Sequence, residues 1–66
     1  MFVTLNGNRI EVTKGSAIKA LIYKLELNEK QIAVEHNGEI VDTDAYSSCI
    51  LNDDDTVEIV HFVGGG

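Results

Sequence analysis

The sequence is poor in the residues from which the usual covalent and metal frameworks are built. A single cysteine excludes an intramolecular disulfide framework. Beside that thiol stand only two histidines, and no C-x-x-C or H-x-x-x-H spacing occurs, so the chain lacks a conventional zinc set. Basic residues are scarce: five Lys and Arg against eleven Asp and Glu give a net charge of -6. That balance disfavours nucleic-acid backbones and anionic lipid surfaces, and it favours encounter with a basic patch on a partner. No apolar run approaches the roughly 18 residues that a membrane span requires. The segment Met1-Phe2-Val3-Thr4-Leu5-Asn6 has neither a basic n-region nor a long apolar stretch. The expectation is a cytoplasmic chain with no nucleic-acid or membrane partner. At 66 residues there is room for one small domain, which buries only about 60% of its unfolded surface. A two-domain enzyme with its own cleft is not expected.

What is present is the composition of a folded protein, 44% hydrophobic and 24% charged. Phe2-Val3-Thr4-Leu5-Asn6 is rich in β-formers and runs into Asn6-Gly7-Asn8, a hairpin signal because both residue types tolerate positive φ. Arg9-Ile10-Glu11-Val12-Thr13 alternates polar and apolar, as a half-buried strand does. Val3, Leu5, Ile10 and Val12 then share one inward face. After Lys14-Gly15 the period changes. Ser16 is a candidate helix N-cap. Ile18, Leu21, Ile22 and Leu25 form an i, i+3, i+4, i+7 stripe on a helix ending near Leu25 or Leu27, with Lys19, Lys24 and Glu26 opposite.

The second half supplies the sheet this helix must cover. Ile32-Ala33-Val34-Glu35-His36 reads as a strand, Asn37-Gly38 as a tight turn and Glu39-Ile40-Val41 as a short return. Asp42 to Ser48 reads as an irregular or 3₁₀ turn, and Thr56-Val57-Glu58-Ile59-Val60-His61-Phe62 as the last strand. The expected fold class is α+β, a mixed sheet of about five strands covered on one face by one helix. Val57 and Ile59 complete the core of Val3, Leu5, Ile10, Val12, Ile18, Leu21 and Ile22. Glu58, Val60 and Phe62 point outward, and exposed hydrophobes on so small a body suggest a partner surface.

Val63 and then Gly64-Gly65-Gly66 follow that strand directly. Glycine lacks a Cβ, so such a segment can thread a narrow channel and leaves the carboxyl carbon of Gly66 unhindered. Extended, 63–66 spans roughly 13 Å, enough to enter another protein's active site. The body is thus expected over 1–62 and a flexible reactive tail over 63–66. This order of elements with a protruding Gly-Gly end resembles the ubiquitin-like β-grasp proteins. The run Glu58-Ile59-Val60-His61-Phe62-Val63-Gly64-Gly65-Gly66 resembles more narrowly the ThiS family of sulfur carriers in thiamin biosynthesis.

That resemblance implies a carrier that does not itself catalyse and holds no cofactor of its own. An E1-like adenylating enzyme, using ATP and magnesium, converts the Gly66 carboxylate to an acyl-adenylate. Sulfur, supplied ultimately by a cysteine desulfurase, then displaces AMP to leave a thiocarboxylate, which thiazole synthase consumes. Gly64 and Gly65 form the arm, while Glu58, Val60, Phe62 and Val63 meet the partners. Two alternatives share the tail: a small subunit of molybdopterin synthase and a ubiquitin-like protein modifier. A passive interaction domain is a third.

The other candidates have plainer readings. Cys49, beside Ile50 and Leu51, is expected to pack in the core rather than act as a redox or persulfide-bearing thiol, because no neighbouring cation marks it. His36 is expected to face water and His61 to be an ordinary strand residue. Asp53-Asp54-Asp55 lacks the spaced ligands of a calcium loop and reads as a solvated turn. Tyr23 and Tyr46 are expected to pack or to lie on the surface.

Overall fold

A computed structural model describes residues 1–62. Its elements are β1 (Phe2–Leu5), β2 (Asn8–Glu11), α1 (Ile18–Lys24), β3 (Ile32–His36), β4 (Glu39–Val41) and β5 (Thr56–His61), with 3₁₀ turns at Glu29–Gln31 and Thr43–Ala45. The five strands form one mixed sheet in the order β2-β1-β5-β3-β4. β5 is central, parallel to β1 and antiparallel to β3.

Both hairpins close through two-residue Asn-Gly loops with positive φ throughout, Asn6 at 47° and Gly7 at 84°, Asn37 at 51° and Gly38 at 86°. These are type I′ turns, whose twist matches that of the strands they join. They set the registers Val3↔Ile10 and Val34↔Val41. Val12 extends the first hairpin beyond β2, its amide donating to the Met1 carbonyl at 2.8 Å.

Ile18, Leu21 and Ile22 of α1 meet Val3, Val12, Ile32, Val34, Tyr46, Leu51, Val57 and Ile59 in one buried cluster. Leu5 and Ile10 reach only its margin. A seven-residue helix is unstable alone in water, so this packing holds α1 in shape. Ile32, Val34, Tyr46 and Leu51 are core residues beyond those expected. Tyr46 is 2% exposed, whereas Tyr23 is 85% exposed.

Two local expectations are corrected. Ser16 is not the N-cap, which is Ala17 and makes no side-chain cap. The first amides of α1, those of Ile18 and Lys19, instead donate to the carbonyls of Cys49 (2.9 Å) and Tyr46 (2.8 Å). With those donors satisfied by a distant loop, the Ser16 hydroxyl turns back to the Thr13 carbonyl at 2.6 Å. Leu25 is 36% exposed and does not extend the buried stripe. The helix ends at Lys24, and Glu26 at φ 58° reverses the chain. The Leu27 amide then bonds the Ile22 carbonyl and the Glu26 amide that of Tyr23, a Schellman closure that brings Leu27 onto the core in place of Leu25.

Candidate functional site

The expected site lies where β5 ends. Val57 and Ile59 are buried, while Glu58, Val60 and Phe62 face outward, as the alternation requires. Val60 and Phe62 are each 58% exposed. Across the sheet, Val60 lies opposite Ala33 and Glu58 opposite Glu35, which in turn pairs with Ile40 on β4. Ile40 is 69% exposed, so it joins Val60 and Phe62 on a face whose centre carries two carboxylates. Sequence reasoning missed Ile40, although the alternation Glu39-Ile40-Val41 with Val41 turned inward contains it.

This end of β5 is held firmly. β1 stops short of it, and the Asn6 side chain supplies the missing pairing: its Oδ1 accepts from the Ile59 amide at 2.7 Å and its Nδ2 donates to the Ile59 carbonyl at 3.0 Å. On the other flank the Phe62 amide donates to the Gln31 carbonyl at 2.9 Å. The direction in which the backbone leaves β5 is therefore fixed as far as Phe62. Val63, Gly64, Gly65 and Gly66 lie outside the described residues.

The start of β5 carries a second polar cluster, and it corrects two readings. Asp55 does not belong to a solvated turn; it is 8% exposed. Its Oδ2 accepts from His36 Nε2 at 2.6 Å and from the Asn52 amide at 2.8 Å, and its Oδ1 accepts from Asn37 Nδ2 at 3.1 Å. Burial pushes the Asp55 carboxyl up, but the hydrogen bonds from His36, Asn52 and Asn37 outweigh it and hold the group below its ordinary value. His36 does not face water, because its parity with Ile32 and Val34 turns it to the helix side of the sheet. Asp53 and Asp54 are separately engaged, by the Phe2 amide at 3.0 Å and by Arg9 at 3.3 Å. The three acids thus serve separate sets of partners. His61 is exposed at the end of β5, opposite Ile32. Among the described residues no helix is long and apolar enough to cross a membrane.

A five-stranded mixed sheet with a parallel β1–β5 pair, gripping one helix, defines the β-grasp class. Comparison with known proteins narrows this to one family, whose model the sequence matches over residues 3–66. The chain belongs to the ThiS family. It is 41% identical over 63 residues to the sulfur carrier protein ThiS of Bacillus subtilis, covering 94% of this chain and 96% of that one. The thiamine biosynthesis protein ThiS of Geobacter metallireducens superposes with a TM-score of 0.86 at 30% identity, each chain covered completely at 100%. The chain is also 35% identical over its whole 66 residues to a thiazole synthase of Magnetococcus marinus, but it spans only 20% of that protein's length. A thiazole synthase of Paramagnetospirillum magneticum is 36% identical over the same span, again 20% of its length.

Proposed function

We propose that this protein carries sulfur for thiamin biosynthesis on the carboxyl group of Gly66. The observation that supports this most is that the family match runs through Gly64-Gly65-Gly66 and does not stop with β5. An α-carboxylate has an ordinary pKa of about 3.3–3.7, so at neutral pH it is an anion and a poor electrophile. An E1-like adenylating enzyme, with its own ATP and magnesium, would convert it to an acyl-adenylate. A sulfur nucleophile drawn from a cysteine desulfurase would then form the C–S bond and release AMP. The body supplies recognition and a fixed exit direction, and it performs no catalysis.

Thiazole synthase is the proposed acceptor of that sulfur. The two longer relatives that bear this name each contain a stretch similar to the whole of this chain. Val60 and Phe62, with Glu58 between β3 and β1 and Val63 beyond, form the proposed docking surface, to which we add Ile40. The apolar side chains provide contact area that loses water on binding, and the carboxylates speed encounter with a basic partner.

The test is ATP–pyrophosphate exchange with the adenylating enzyme, followed by intact mass analysis for oxygen replaced by sulfur. Deleting Gly66, or adding one alanine after it, moves the carboxylate by about 3.3–3.6 Å. Displacement on that scale costs about 10²-fold or more in rate while the fold is untouched. Undiminished adenylation and thiocarboxylate in both variants would overturn the assignment. Phe62→Ala should weaken binding to the same enzyme, and unchanged affinity would remove Phe62 from the interface.

A further inference from the structure

The cluster at the start of β5 contains a thiol that the carrier chemistry does not use. Cys49 Sγ lies 3.4 Å from His36 Nδ1, and His36 Nε2 lies 2.6 Å from Asp55 Oδ2. An ionised carboxylate can only accept, so Asp55 fixes the imidazole proton on Nε2 and leaves the Nδ1 lone pair facing the thiol. His36 comes from the end of β3, while Cys49 and Asp55 come from the connection that leads into β5, and only the fold unites them. They are not sealed off. A groove of about 450 Å³ opens beside them, lined by Cys49, His36, Val41 and Ala45, with Glu39 and Asp42 as its carboxylates.

We propose that Cys49 is a nucleophilic thiol with His36 as its general base, and that the groove admits sulfur–sulfur electrophiles, persulfide or disulfide, borne on neutral or cationic groups. As Sγ attacks, its proton passes to His36 Nδ1, a new S–S bond forms at Cys49 and the S–S bond of the reagent breaks. The departing thiolate takes the proton from His36. A persulfide R–S–SH leaves Cys49–S–SH and R–SH; a disulfide R–S–S–R leaves Cys49–S–S–R and R–SH. No external oxidant is consumed, and Gly66 takes no part, so the site stands independently of the carrier reading.

The choice of electrophile follows from the surroundings. Exchange at sulfur keeps the developing charge on polarisable sulfur atoms and needs no oxyanion hole, whereas acyl transfer does. Val41 and Ala45 offer an apolar wall, while Glu39, Asp42 and Asp55 repel anions. Burial, and then the charge of Asp55, push the Cys49 thiol up, so a resting thiolate is disfavoured and proton removal must accompany attack. Asp55, Glu39 and Asp42 are also the titratable groups that face His36 and Cys49 here.

The experiment follows adduct formation on the full chain by intact mass, from about pH 5 to pH 9, spanning the ordinary imidazole and thiol ranges. The probes are cystamine, oxidised glutathione and cysteamine persulfide, with Cys49→Ser to locate the adduct. The expected wild-type rate holds a plateau at neutral pH, below the range in which the thiol itself ionises, and rises again only there. His36→Gln should lose the plateau and react on the order of 10²-fold more slowly near pH 7. Cystamine should outpace oxidised glutathione at low salt, with the gap narrowing as salt is added. A one-sulfur adduct from the persulfide or a cysteamine adduct from cystamine, formed with this profile, supports the proposal and identifies which source reacts. A single rise through the thiol range in the wild type overturns it whether or not His36→Gln folds, and so does an identical profile in the two proteins.

Discussion

Asn6 and Asn37 each hold the first position of a hairpin turn, and each also bonds to β5 with its side chain. Asn6 reaches both polar groups of Ile59, while Asn37 Oδ1 accepts from the Thr56 amide at 2.8 Å and its Nδ2 reaches Asp55. Substituting glycine at Asn6 keeps φ 47° accessible, removes the two hydrogen bonds and adds entropy to the unfolded chain. Asn6→Gly should therefore cost about 1–3 kcal/mol, seen as a lower urea midpoint at unchanged slope; an unchanged midpoint would show that water replaces the side chain without loss. Glu26 presents the opposite case. It occupies left-handed backbone at φ 58° and puts a negative charge at a helix C-terminus. Glu26→Gly should raise stability by about 0.5–1 kcal/mol, the strain relieved exceeding the entropy glycine adds to the unfolded chain. Thermal unfolding checks this, and a lower midpoint would refute it. The Asn-Gly turns themselves were legible from sequence, because the dipeptide states its own φ requirement. Their bonds to β5 were not, since Asn6 and Ile59 stand 53 residues apart and only the sheet order makes them neighbours.

Among the elements, the pairing of β3 with β5 shows stability yielding to surface chemistry. Glu35 and Glu58 lie directly opposite on the exposed face, and like charges in that position are unfavourable. Glu58→Lys should turn the pair into an attractive one and stabilise the domain by about 0.2–1 kcal/mol. The same change should slow association with the proposed adenylating enzyme and flatten its salt dependence. A stopped-flow series against ionic strength separates the two effects; equal association rates at all salts would take Glu58 out of recognition. The elements were largely foreseeable, because the period shifts from 2 to 3.6 and back, and β3 and β4 fall where the alternation puts them. The cap of α1 was not, since a serine at the usual position competes with carbonyls of Tyr46 and Cys49 that no local pattern reveals. The end of α1 near Leu25 was legible, but the chain reversal through Glu26 was not, because glutamate is an uncommon residue for that turn.

For the whole molecule, Asp55, the residue before β5, ties together β3, the β3–β4 turn and the Asn52 loop. Its carboxyl is more acidic in the folded chain than in the unfolded one. The stability it contributes is therefore complete above the ordinary value of 3.8 and is lost as pH falls through the depressed folded value. Acid unfolding followed by circular dichroism should show this loss below about pH 4. Asp55→Asn, already lacking the charge, should unfold with a shallower dependence on pH in that window, and an unaltered acid profile would place the sensitivity elsewhere. The Asp53-Asp54-Asp55 run in sequence shows only three adjacent acids. Which of them turns inward depends on where His36 and Asn37 arrive from, and that is a property of the assembled sheet.

The central place of β5 also has a mechanical consequence. A partner that draws on the chain beyond Phe62 pulls along the axis of a strand flanked on one side by β1 and on the other by β3. Force in that direction loads the interstrand bonds of both flanks together, in shear, and not one after another as at a peeling edge. The Asn6 clamp on Ile59 and the Phe62–Gln31 bond sit at the end where the load arrives. An enzyme can thus tug on this chain repeatedly while the body behaves as a rigid handle.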